Sequence, residues 1–134
     1  MRLFACVLLV LLGACGRGVP QDARVVVAGD SVMAWNRGQG EAVADGLSRL
    51  LAEPVGDMSL SFARLTGSPP VPGLDIRKQV AGLSAPWVVL NGGANDLGVG
   101  CDCTDCGEIL ARLISPDGRT GAIPALVSGL SARG

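Results

Sequence analysis

Two short apolar runs constrain this chain more than any other feature: "RVVVA", Arg24 to Ala28, and "PWVVL", Pro86 to Leu90. Neither alternates apolar with polar residues, so each reads as a strand buried on both faces of a parallel sheet. Each stops abruptly in a small polar turn containing glycine, "GDS" after the first and "NGGAND" after the second. Strands of this kind need helices on both sides, and the residues between them supply the pattern. Gly40 to Ala52 has apolar residues at Val43, Leu47, Leu50 and Leu51, a helical spacing closed by Pro54. Pro54 to Leu60 is expected to form a short second strand. Ser61 to Gly73 reads as a loop, punctuated by Gly67-Ser68-Pro69-Pro70 and Pro72-Gly73.

Asp75 to Leu83 suits a short helix with Asp75 as its cap. After the third strand comes a cysteine loop, then helices over Glu108 to Ile114 and Ile123 to Ala132. Strand, helix, strand, helix, strand, helix predicts an α/β three-layer sandwich with a parallel sheet of about three strands. Pro86 to Leu90 is too apolar for an edge facing water. A further strand is therefore expected beside it, from downstream sequence or from a partner.

The first residues read differently. Met1 to Ala14 has one basic residue, Arg2, and then an apolar run too short to span a bilayer, the layout of a secretory signal. Its end, Leu12-Gly13-Ala14-Cys15, resembles a bacterial lipobox, in which Cys15 becomes the lipid-modified first residue. The competing reading is an ordinary signal in which Cys15 is incidental. Residues 15–22 form a polar tether and 23–134 a single domain. These features predict an exported protein of the bacterial cell envelope, facing the periplasm and touching the membrane only through its lipid.

A net charge of −1 with no basic cluster excludes electrostatic nucleic-acid binding. Beyond Cys6 and Cys15, three cysteines remain: Cys101, Cys103 and Cys106 in "CDCTDC". Three thiols in a chain without histidine fall short of the usual four nitrogen and sulfur ligands of zinc, so a disulfide is expected rather than a metal. Which two cysteines pair is left open, as is a partner for the third beyond Gly134.

Ligands of open α/β sheets collect at the carboxyl ends of the strands. There, Ser31 can direct a hydroxyl at a substrate carbonyl, and its own N–H and the Asn95 amide can donate to a developing oxyanion. Gly29-Asp30-Ser31 after the first strand, with Gly93-Ala94-Asn95-Asp96 after the third, resembles the SGNH/GDSL hydrolases. The resemblance runs from Arg24 to about Gly134 and covers the amino-terminal part of such a domain. "GDSVM" lacks the second glycine of the G-x-S-x-G elbow, which separates the chain from the α/β-hydrolases.

The resemblance implies a flavodoxin-like fold, an ester or thioester substrate of small size, and no metal or organic cofactor. It makes Ser31 the nucleophile and Asn95 an oxyanion-hole donor. Asp30 then orients the first turn, and Asp96 braces the turn that presents Asn95. Two departures accompany it. "SLSFAR" puts Phe62 where the family has an oxyanion-hole glycine, with a ring and a Cβ that a glycine lacks. The family's base lies in an Asp-x-x-His motif, and this sequence contains no histidine. The expectation is an esterase lineage whose nucleophile has no base within these residues. The alternative is a non-catalytic envelope lipoprotein that binds through the same edge.

Overall fold

The computed structural model describes residues 18–69, 71–101 and 106–133. The leader, Cys15 and Cys103 lie outside the described residues. Three parallel strands form the sheet: β1 (Val25–Ala28), β2 (Val55–Asp57) and β3 (Trp87–Leu90), in the order β2-β1-β3. The α/β architecture expected from the apolar runs is the one observed. Val25 pairs with Val55 on one side and with Trp87 on the other, and Ala28 lies opposite Leu90. β1 is the central strand and is buried along its whole length, which is why "VVVA" carries no polar residue.

Successive side chains of a strand point to opposite faces, so each face gets its own core. Ala28 packs with Ala63, Leu65, Ile76, Val80, Ile109, Leu113 and Leu126 on one side, while Val27 packs with Met33 and Ala44 on the other. Helices α1 (Ser31–Ala34) and α2 (Val43–Leu51) supply Met33 and Ala44. Helices α3 (Ile76–Gln79), α5 (Gly107–Leu113) and α6 (Ala122–Ser131) cover the opposite face.

The structure departs from expectation in several places. α1 and α4 (Ala94–Gly100) are helical where only turns were expected. α2 begins at Val43 rather than Gly40, and β2 is three residues long, although the Met58 and Leu60 N–H groups still donate to the Val27 and Gly29 carbonyls. The helix at Asp75 is a single turn. Its cap is as read: Asp75 accepts from the Arg77 N–H at 3.0 Å. Burial alone would raise the Asp75 carboxyl, but the hydrogen bonds and charge of Arg77 outweigh it and hold that carboxyl below its ordinary value.

β3 lies at the sheet edge, where the sequence suggested a covered strand. Trp87 is 68% exposed, and a groove of about 310 Å³ lined by Pro86, Val88, Leu90, Val127 and Leu130 runs between β3 and α6. The order β2-β1-β3 matches the first three positions of the doubly wound order 2-1-3-4-5, whose ligand crevice opens between β1 and β3 at their carboxyl ends.

Candidate active site

That crevice is where both polar turns converge. Beyond β1 the chain runs Gly29-Asp30-Ser31, and beyond β3 it runs Asn91-Gly92-Gly93-Ala94-Asn95. The two turns are joined through Asn91. Its Oδ1 accepts from the Asp30 N–H at 3.1 Å, and its Nδ2 donates to Asp30 Oδ1 at 2.8 Å. Asp30 Oδ1 also accepts from the Val32 N–H at 2.9 Å, capping α1 and setting Ser31 as the first residue of that helix. Asp30 thus ties the two turns together and caps α1. Its Oδ2 is buried with no hydrogen-bond partner among the described residues.

The Gly29 peptide is gripped by Gln79, whose Oε1 accepts from the Gly29 N–H at 3.0 Å and whose Nε2 donates to the Gly29 carbonyl at 3.1 Å. The Leu60 N–H donates to the same carbonyl at 3.0 Å, which brings the loop after β2 against the β1 turn. Sequence reasoning missed Gln79 and Asn91. Gln79 lies in a helix with no motif around it. Asn91 sat inside "NGGAND", next to the residues that drew attention.

Phe62 adopts φ 66°, the left-handed conformation that glycine favours. The Ala63 N–H donates to the Leu60 carbonyl at 3.2 Å, closing a turn with Phe62 in the position that calls for positive φ. The phenylalanine therefore adopts a backbone geometry that glycine favours. Its ring does not fold into the protein: Phe62 is 77% exposed. Phe62 thus combines a strained backbone with an exposed ring.

Asn95 is half-buried near the start of α4, and its Nδ2 donates to the Ala63 carbonyl at 2.9 Å. One amide hydrogen is used there and the second is free to serve a ligand. Asp96 braces the arrangement from within, by a different route from the one expected. Its carboxylate accepts from the N–H groups of Leu65 at 2.9 Å and Thr66 at 2.7 Å, and from the Thr66 hydroxyl. It ties α4 to the Phe62 loop rather than to its own turn. Gly93, at φ 103°, is the residue at the N-terminal boundary of α4.

Ser31 is half-buried, and its hydroxyl makes no hydrogen bond among the described residues. The N–H groups of Ser31 and Phe62 also have no partner among them. A further tie runs below the site. Arg37 makes a two-pronged pair with Asp57, both contacts at 2.9 Å, and donates to the Ser59 carbonyl and hydroxyl at 2.7 Å. Apart from these residues, Cys101 is bonded to Cys106 across the loop between α4 and α5, their Cα atoms 5.0 Å apart. The pairing that the sequence left open is therefore the outer one.

The chemistry available is that of a serine hydroxyl on a sheet edge where the Phe62 and Asn95 loops are tied to its turn, with no imidazole anywhere in the sequence. Compared with known proteins, the chain matches no protein-family model, no curated protein and no solved structure, so the case for its function rests on this geometry.

Proposed function

We propose that the chain carries the nucleophile and oxyanion hole of an SGNH/GDSL-type serine hydrolase acting on ester or thioester bonds. One observation carries the reading. A serine hydroxyl with no partner among the described residues follows β1, and its turn and the loops tied to it carry further donors unpartnered among them: the Ser31 N–H, the Phe62 N–H and one hydrogen of the Asn95 amide. In the proposed reaction Ser31 Oγ attacks the carbonyl carbon and the carbonyl oxygen becomes an oxyanion held by those donors. The alcohol or thiol leaves with a proton, and water then releases the acyl group from Ser31.

A serine hydroxyl at neutral pH needs a base, and none of the residues here is histidine. Loss of a triad base costs roughly 10⁴- to 10⁶-fold, while an oxyanion hole alone retains about 10³- to 10⁴-fold over water. The base of the full reaction therefore comes from outside these residues, and this chain alone turns over no ester above background.

Dissolved imidazole replaces the missing group in the test. A fluorophosphonate is expected to form a single adduct on Ser31, faster with imidazole, and none in Ser31→Ala. Asn95→Ala should slow the adduct by about a hundredfold. Intact-mass and peptide mass spectrometry read the outcome. No adduct with or without imidazole rejects the hydrolase reading and favours the non-catalytic binding lipoprotein, toward which the exposed Phe62 points.

The same proposal places the chain in the bacterial cell envelope, exported through its leader and anchored by lipid on Cys15. The Cys101–Cys106 disulfide suits that oxidising compartment. Cys15→Ala is expected to move the protein from the membrane fraction to the soluble fraction. Unchanged membrane association after that substitution rejects the anchor.

A further inference from the structure

Phe62 is held in a conformation that costs a non-glycine residue about 1–2 kcal/mol, yet its ring is 77% exposed and recovers little of that cost by packing. A strained residue whose side chain gains nothing within its own fold points to a contact made with something else. Trp35 shares the exposure but not the strain, its backbone lying at φ −58°. It is 70% exposed, and it lies one helical turn beyond Ser31, at the end of α1. Val32, next to Ser31, is 60% exposed.

The backbone that carries these side chains is tied to the turns at the crevice by the contacts already described. Phe62 lies between Leu60, bonded to Gly29, and Ala63, bonded to Asn95. The segment after Trp35 is fixed to the same loop by the Arg37–Ser59 hydrogen bonds. Neither residues 31–35 nor residues 59–63 include a charged side chain. The polar side chains nearby, those of Asn91, Gln79, Asp57, Ser59, Asp96 and Thr66, are all engaged within the fold. With most of the neighbouring polar side chains engaged, the rim offers a sugar few hydrogen bonds beside its stacking surface, whereas a hydrocarbon needs none.

We propose that Trp35, Phe62 and Val32 form a binding rim for a linear hydrocarbon chain, making long-chain esters rather than acetyl esters or acetylated sugars the substrate class. The inference rests on Ser31 being the nucleophile. The hydrocarbon lies across the two aromatic side chains while the ester carbonyl reaches the donors of Ser31, Phe62 and Asn95. Each methylene that leaves water strengthens binding by up to about fourfold.

Two fluorophosphonates, one with an ethyl and one with a dodecyl chain, test this in the presence of imidazole. The dodecyl probe is expected to label Ser31 at least about tenfold faster. That ratio should fall toward one in Trp35→Ala and in Phe62→Gly. Because both probes meet the same protein sample, a general loss of folding does not mimic the change.

The second arm needs no nucleophile. In Ser31→Ala with Trp87→Phe, Trp35 is the one tryptophan left, and decanoate should change its fluorescence saturably while acetate does not. Equal labelling rates with no response to decanoate overturn the rim and leave the hydrolase reading standing. Saturable decanoate binding without labelling by either probe upholds the rim and removes the nucleophile. A Trp35 response to phosphatidylcholine vesicles but not to decanoate assigns the rim to a membrane surface and overturns the proposal.

Discussion

A single methyl group added at Gly29 is expected to destabilise the fold by about 4 kcal/mol or more, a loss at the far end of what point substitutions produce. A Cβ at this position would stand 2.0 Å from Asn91 Oδ1 and 2.8 Å from the Asn91 carbonyl oxygen, on a backbone at φ 141°. The side chain of Asn91 can swing aside only by leaving the Asp30 N–H and giving up Asp30 Oδ1. The carbonyl cannot swing aside, because it belongs to the backbone directly after β3. Moving Gly29 instead breaks the paired hydrogen bonds of Gln79 and the contact from Leu60. Every route of relief leaves polar groups without partners in a buried region, at roughly 1–3 kcal/mol each. Urea denaturation of Gly29→Ala measures the loss, with Gly46→Ala as the control. Gly46 lies inside α2 with nothing within 4 Å of the added carbon, so its replacement should be neutral or mildly stabilising. Equal midpoints for the two variants would contradict this account of the turn.

The strength of that clamp bears on what the sequence disclosed. β1 and β3 were legible because both lie in a parallel sheet, where burial forbids polar residues and leaves an unbroken apolar run. The adjacency of the Ser31 and Asn95 turns followed from the strands, and the pairing of Ala28 with Leu90 realises it. α1 and α4 were not legible. Four residues, "SVMA", are too few to display a period, and the helix depends on the Asp30 cap. α4 reads "ANDLGVG", rich in residues that favour turns, and tertiary ties such as those of Asp96 hold it. Phe62 was picked out as a departure, but its left-handed backbone was hidden because positive φ is usually announced by glycine or asparagine. Gln79 and Arg37 were missed for a simpler reason. Their partners, Gly29, Asp57 and Ser59, are distant in sequence, and no local pattern records such a bond.

The Arg37–Asp57 pair carries the second large effect. Asp57→Ala is expected to cost about 3–5 kcal/mol, the range for removing one partner of a buried ion pair, and a small domain has only about 5–15 kcal/mol in total. The side chains of Arg37 and Asp57 are 16% and 3% exposed, so solvent does little to replace the lost carboxylate. Asp57 Oδ1 also accepts from the Ser59 N–H and hydroxyl, and the substitution removes those bonds too. Two controls separate this mechanism from a simple loss of side-chain volume. The double change Arg37→Met with Asp57→Leu removes both charges together and should recover much of the stability, because no uncompensated charge stays buried. Arg24→Ala breaks the exposed pair with Glu53, where Arg24 is 66% exposed, and should shift stability by no more than about 1 kcal/mol. Salt distinguishes them further. The cost of Asp57→Ala should persist in concentrated sodium chloride, since screening reaches buried pairs weakly. Guanidinium would mask that comparison, so urea is the denaturant to use. A loss within about 0.5 kcal/mol would mean that the pair is dispensable. The ties that hold Trp35 and Phe62 about Ser31 would then have to come from the Gly29 and Asn95 contacts alone.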